Sequence, residues 1–468
     1  MQQRIDSVAR MAGMENAGWG VVIMETATGK ILAQHEANRS LVTASVMKVI
    51  TTATALSILG KDYQFSTFLE YSGEIKNGIL NGNLYLRGGG DPTLGSYRLG
   101  EELQTEGFLV MLGNVLKKMG VKKITGDIIG DGSLFDNRNI PDTWTWGDMG
   151  NYYGTGVSGL NINENMYSMV LKSGRNVGEP VDILFTEPNL HKSFQLVNEL
   201  STGESGTGDN AFIYSSPFSD RLMIRGTIPK NQNNFHVRGS IPNPELFAAQ
   251  LLCEKFADME IDVVGEAKSY DAEKNRQILH NQPKTLIYTH LSPPLSKIVE
   301  FTNTESVNLF AEALMKMIGL KQKGKGTLGA GLAATLEFWK SKGLDTRGMF
   351  LQDGSGLSPN NTATAKQIAF VLQTMAKDTV LQKVFEESLA IAGKTGTISD
   401  MGEETAAEGN VRAKSGYISK VHTYSGYVTT KSKRQWTFVF LANYYNDSPN
   451  DMKKRVEKLF IEMAEAQD

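Results

Sequence analysis

A chain of 468 residues exceeds one ordinary hydrophobic core, so two or more domains are expected. Charge is nearly balanced, a net −3 with 21% charged residues and no basic tract, which argues against a nucleic-acid partner. Cys253 is the only cysteine, which excludes an internal disulfide, a thiolate zinc site and an iron–sulfur cluster. The six histidines (His35, His191, His236, His280, His290, His422) never fall at metal-ligand spacing and read as structural, so no cofactor is expected. No apolar run of about 18 residues occurs, so no membrane-spanning helix is expected. The start Met1-Gln2-Gln3 has neither a basic nor an apolar leader segment, so an export signal has been removed or never existed.

In chain order, Trp19–Glu25 and Ile31–Glu36 read as two strands around a turn at Gly29. The 44–59 stretch that follows lacks Gly and Pro, and Val46, Val49, Ile50, Ala53 and Leu56 recur at helical spacing, which predicts a mostly buried helix. Ser45 and Lys48 do not suit such a helix. Three apart, they stand side by side one turn apart, and a buried amine is costly unless it is paired or gives up its proton. A lysine so depressed is a general base, and the hydroxyl beside it a candidate nucleophile whose own N–H is half of an oxyanion hole. Alone, the pair reads more readily as a helix cap and a snorkelling lysine, so partner motifs must decide.

From 65 to 280 the texture changes to short β-rich runs broken by Gly, Asn and Pro, which reads as an insertion, with 165–240 nested inside it. Gly88-Gly89-Gly90-Asp91-Pro92-Thr93-Leu94 lacks phosphate-loop spacing and reads as a tight turn. Trp144, Trp146, Asp148, Tyr152 and Tyr153 form an aromatic cluster with one acid, either core or the lining of a pocket that faces a peptide. After Pro293 and Pro294 a helical region is expected to run from Leu295 through Ser306 and Asn308 to Leu314. Strands are expected at Val411–Ile418, Thr423–Thr429 and Trp436–Asn443, then a helix with Val456, Leu459, Phe460 and Met463 on one face. The most economical assembly pairs the N-terminal hairpin with these three strands in one sheet, with the Ser45 helix buried against it.

Ser45-Val46-Met47-Lys48, Ser306-Val307-Asn308 and a lysine triplet then form an ordered set. A second serine can relay a proton between Lys48 and a leaving amine. An asparagine can hold Lys48 and a substrate amide, and a lysine on an edge strand can attract a terminal carboxylate. Two triplets compete for the last role, Lys394-Thr395-Gly396 and Lys414-Ser415-Gly416. The role needs an extended edge that can hydrogen-bond a peptide, and only Lys414 lies in a strand-like run with a hairpin partner, so Lys414 is preferred.

These motifs resemble the S-x-x-K, S-D-N and K-T-G series of penicillin-binding proteins and class A β-lactamases. With Gly88–Leu94, Gly130–Asp136, Ser292–Ser296, Asp353–Ser358 and Arg412-Ala413 before Lys414, the chain is similar over nearly its whole length to the class C low-molecular-mass penicillin-binding proteins. Val307 stands where Asp is common and Ser415 where Thr is common. The resemblance implies an α/β (α+β) transpeptidase-like domain, an antiparallel sheet flanked by helices, made from residues 1–64 and 281–468. It implies an inserted domain at 65–164 and 241–280, and a nested subdomain at 165–240.

The function implied is that of a serine D-alanyl-D-alanine carboxypeptidase or endopeptidase acting on peptidoglycan stem peptides outside the cytoplasm and acylated by β-lactams. Lys48 would activate Ser45, the N–H groups of Ser45 and Tyr417 would hold the oxyanion, and Ser306 would pass a proton to the leaving group. Asn308 would position the acyl chain, Lys414 and Ser415 would take the carboxylate, and Gly416 and Tyr417 would line the substrate edge. Asp148 and Tyr153 would face the side-chain amine of the stem peptide. A β-lactamase with the same triad and a non-catalytic wall-binding protein are the alternatives. Oligomeric state is left open.

Overall fold

The computed structural model describes residues 1–190, 194–270 and 283–467; His191, His280 and the expected boundary at 280 lie outside them. The chain forms two compact units, Met1–Tyr63 with Pro294–Asp468, and Gln64–Pro293. In the first, six strands make one antiparallel sheet in the order Ile31–His35, Gly18–Glu25, Gln435–Asn443, Val421–Thr429, Val411–Ile418, Ala390–Ile391. Gly18–Glu25 pairs with Gln435–Asn443 along its full length, from Gly18 opposite Asn443 to Glu25 opposite Trp436, so distant parts of the chain close one sheet. On one face Val21, Ile23, Tyr424, Phe438 and Phe440 meet Val456, Leu459, Phe460 and Met463 of the Pro449–Ala464 helix. Full burial of each such side chain stabilises the fold by about 1.5–3 kcal/mol.

The Ala365–Lys377 helix lies against the sheet, and the Met47–Leu59 helix packs among Ala365–Lys377, Leu295–Thr304 and Asn308–Lys323. Every residue from Met47 to Leu56 is buried. The expected helix is therefore central among helices rather than laid on the sheet, and it is buried on all sides, its Lys48, Thr51, Thr52 and Thr54 included. Its lead-in turn, Ala44–Val46, packs on Val411–Ile418 and Val421–Thr429.

The helical region expected from Leu295 to Leu314 is made of two helices, Leu295–Thr304 and Asn308–Lys323. Ser306, in the left-handed region at φ 62°, bends the chain between them. A non-glycine residue there costs about 1–3 kcal/mol, which the surrounding packing must offset.

In the second unit, Ala267–Ser269, Ile128–Asp131, Leu84–Arg87, Ser66–Tyr71 and Thr285–Leu291 form one sheet, alongside three smaller ones. It also holds two long helices that a β-rich reading missed. Thr105–Lys118 buries Phe108, Leu109, Leu112 and Leu116 at helical spacing. Pro244–Asp258 begins with Pro244 in its first turn, and the Asn243 side chain accepts the Leu246 N–H. One apolar cluster runs from Leu69 to Ile261 and takes in Tyr167, Met169, Leu200, Ile213 and Leu222 of the 165–240 strands. No helix among the described residues is long and apolar enough to cross a membrane.

Candidate active site

Ser45 lies in the turn that leads into the central helix, and two contacts hold that turn. Thr423 Oγ1 donates to the Thr43 carbonyl at 2.8 Å. Gly356, at φ 83°, lies so close beneath that a Cβ would sit 1.8 Å from the Ala44 carbonyl oxygen, so only glycine fits.

One turn on, Lys48 is fully buried. Its Nζ lies 3.1 Å from Ser45 Oγ, 2.5 Å from Asn308 Oδ1 and 2.6 Å from the Ser355 carbonyl oxygen. An ammonium can donate to all three, but a neutral amine has two N–H bonds and a lone pair. The two carbonyl oxygens can only accept, so they claim both N–H bonds. The lone pair is left facing Ser45, the one partner that has a proton to give.

Burial pulls the Lys48 ammonium from its ordinary 10.5 down to about 7, against the opposing pull of Asp353 and Glu312. The amine therefore changes charge near neutral pH, where a general base is most useful. Glu312 stands one turn beyond Asn308 on its helix and is itself buried. It accepts the N–H groups of Gly354 (3.0 and 3.1 Å) and Ser355 (2.8 Å). Burial, and then the charge of Asp353, push its carboxyl above the usual carboxylate range. Asp353 takes the N–H groups of Gly356 and Ser358, each at 2.6 Å, and Asn361 Nδ2 at 2.7 Å. Together the two acids shape the 353–358 loop that aims the Ser355 carbonyl at Lys48.

Lys414 lies in the Val411–Ile418 strand and is fully buried; burial, then the Lys48 charge, hold its ammonium well below the ordinary value. Its Nζ donates to the Ser415 carbonyl at 2.7 Å. Lys394, the rejected alternative, is exposed in a turn after Ala390–Ile391. Gly416 faces the nucleophile turn: a Cβ there would lie 2.7 Å from the Ser45 nitrogen and 3.0 Å from that of Val46. The Val411 carbonyl accepts from Ala392 on the side of the short outer strand. By strand alternation, the backbone groups of Ser415 and Tyr417 point the same way, past the end of Ala390–Ile391. An extended peptide can add there as a further strand.

The structure thus gathers Ser45, Lys48, Asn308, Lys414, Ser415, Gly416 and Tyr417, with Ser306 in the bend two residues before Asn308. Asp148 and Tyr153 belong to the second unit. There Thr145 Oγ1 donates to Asp148 Oδ2 at 2.7 Å, and burial, then Asp148, push the Tyr153 phenol up. The aromatic cluster divides: Trp144 is buried, while Trp146 and Tyr152 are 55% and 44% exposed. Sequence reasoning missed Glu312 and the parts played by Asp353 and Ser355. The signal available was a glutamate four residues after Asn308, which on a helix shares its face.

A buried amine aimed at a hydroxyl, beside backbone N–H groups and an open strand edge, defines a lysine-activated serine acyl-transfer enzyme. The family model for D-Ala-D-Ala carboxypeptidase 3 (S13) matches residues 1–463, and the chain belongs to that family of serine-type DD-peptidases. It is 30% identical over 440 residues to the D-alanyl-D-alanine carboxypeptidase of Actinomadura sp. (strain R39), covering 92% of this chain and 78% of that protein. It is 26% identical to the D-alanyl-D-alanine carboxypeptidase DacB of Haemophilus influenzae, covering 95% and 88% respectively. The crystal structure of penicillin binding protein 4 (dacB) from Haemophilus influenzae superposes with a TM-score of 0.83 at 25% identity, covering 99% of both chains.

Proposed function

We propose that the chain hydrolyses the peptide bond between the two terminal D-alanines of peptidoglycan stem peptides, or the like bond in a cross-bridge, through an acyl-enzyme on Ser45. The observation that carries this is the set of three oxygens around Lys48 Nζ, which leaves its lone pair on Ser45. Lys48 takes the Ser45 proton as Oγ attacks the carbonyl carbon of the penultimate residue. The oxyanion that forms accepts the N–H groups of Ser45 and Tyr417.

As the tetrahedral intermediate collapses, the bond to the leaving amine breaks, and Ser306 relays to it the proton held by Lys48. Asn308 holds the acyl chain, and Lys414 with Ser415 takes the terminal carboxylate. Water then attacks the ester, with Lys48 again the base, and frees Ser45. A β-lactam enters by the same attack, but its leaving group stays tethered in the opened ring and the acyl-enzyme persists. Asp148 with Tyr153 is the proposed subsite for the stem-peptide amine. Such a substrate places the enzyme outside the cytoplasm, at the cell wall.

The test is intact-mass measurement after incubation with a penicillin, together with D-alanine release from a diacylated peptide ending in D-Ala-D-Ala. Wild type should gain one penicilloyl adduct and release D-alanine, and Ser45→Ala should do neither. Adduct formation without release would replace this reading by that of a β-lactam-binding protein of another function. Fast penicillin turnover without D-alanine release would replace it by that of a β-lactamase.

A further inference from the structure

The loop set aside as a carboxylate-binding triplet carries, one residue further on, a hydroxyl at the open strand edge. Thr397 Oγ1 lies 2.6 Å from Ser415 Oγ, and its side chain is exposed. The residues around it are anchored. Thr395 Oγ1 accepts the Ile391 N–H at 3.0 Å, and Ile398 is fully buried. Gly396, at φ 63°, presses so close to the Leu295–Thr304 helix that a Cβ would lie 2.3 Å from the Thr304 carbonyl oxygen.

We propose that Thr397 is a substrate-binding residue which, together with Ser415, holds the C-terminal carboxylate of the scissile peptide. This rests on the acyl-transfer reading above and deepens it. A carboxylate presents two oxygens and is bound best by two donors. The strand itself supplies one short hydroxyl, that of Ser415. The next side chain on the same face, Tyr417, has its ring against His422, with centroids 4.8 Å apart. Lys414 attracts the anion from behind the strand, where its Nζ lies on the Ser415 carbonyl.

Thr397 completes the pair from a separate segment. With Ser415 donating to it, its own proton is free to turn toward a ligand, and both hydroxyls can rotate to an anion without moving the backbone. Because the flanking residues are anchored, little ordering entropy is lost when the ligand arrives.

The experiment compares two diacylated peptides, one ending in D-Ala-D-Ala as the free acid and the other as the C-terminal amide, on wild type, Thr397→Val, Thr397→Ser and Ser415→Ala. Melting temperatures confirm that each variant is folded. Thr397→Val keeps the side-chain shape without the hydroxyl. It should lose about tenfold in kcat/KM on the acid, the size of one hydrogen bond to a charged group, and stay at the wild-type value on the amide. Thr397→Ser should restore the acid. A Thr397→Val enzyme with the wild-type ratio of acid to amide, beside a Ser415→Ala enzyme that has lost it, would remove Thr397 from the subsite and leave the wider reading standing. If neither variant changes that ratio, the assignment of this edge to the carboxylate fails as a whole.

Discussion

Both units bury charge, but they meet it with different partners. In the second unit, Glu164 accepts from Ser96 Oγ and from Arg98 Nε at 2.9 Å, and Asp131 accepts the Ser133 N–H at 3.0 Å and Lys284 Nζ at 3.4 Å. Glu245 accepts from Ser158 Oγ at 2.6 Å. These acids are tied to fixed cations, hydroxyls and backbone N–H groups, so they lock loops together. In the first unit Lys48 has a hydroxyl and two carbonyl oxygens as partners, and its proton affinity has fallen to near neutrality. Burial of charge alone therefore does not mark a reactive centre. A group whose neighbours leave it one unfilled valence, aimed at a proton donor, does.

The largest test of that contrast removes the reacting groups. Ser45→Ala and Lys48→Met should each lower acylation by a fluorescent penicillin on the order of 10⁴-fold or more, with circular dichroism unchanged. Residual labelling near the wild-type level in either would mean that another hydroxyl or base does the work.

The pH profile sharpens the same point. Lys48 must be neutral to accept the serine proton, so the acylation rate constant should rise tenfold per pH unit below about 7 and level off above it. An acid limb near 10 would show a lysine of ordinary affinity. Stability carries the matching sign. The folded-state value lies below the unfolded one, so the unfolded chain binds more protons between about 7 and 10.5, and stability rises with pH across that window.

Next in size is Glu312. Glu312→Leu leaves the N–H groups of Gly354 and Ser355 unpaired in the core, which should cost about 1–3 kcal/mol by urea denaturation and slow acylation. Glu312→Gln keeps Oε1, which already accepts both N–H groups, and should hold most of that stability. Equal losses in the two variants would show that the charge, not the acceptor, shapes the loop.

The smallest expected effect on chemistry lies in the second unit. Burial raises the Asp91 carboxyl to about 6, against the opposing bonds from Thr93, so its contribution to stability is complete below 3.8 and is lost as pH rises through 6. Asp91→Asn should flatten stability across that window and leave penicillin acylation at the wild-type rate. A drop in acylation would place Asp91 among the reacting groups.

Much of this protein was legible in local pattern. Strand-like runs marked the three late strands, and helical spacing marked the buried run after Ser45. The residue types of Ser45, Lys48 and Asn308 stated their chemistry, and the strand-like run around Lys414, unlike the loop after Lys394, separated the two lysine triplets. The bend at Ser306 was not legible, because nothing in Thr304-Glu305-Ser306-Val307 breaks a helix locally; the left-handed serine is imposed by packing. The Thr105–Lys118 and Pro244–Asp258 helices were masked by the glycine-rich texture around them, although Asn243 and Pro244 carried a cap signal.

What the amino-acid order determined by itself was most of the strands and helices of the first unit and which side chains can carry a reaction, since both follow from periodicity and functional group within a few residues. Only the tertiary structure decided that a loop carbonyl at Ser355 lies on Lys48, a carboxyl at Glu312 on that loop's N–H groups, and a turn hydroxyl at Thr397 on Ser415. Backbone oxygens look alike at every position in a sequence. Their role depends on which distant atoms the fold brings within about 3 Å, where a hydrogen bond can form.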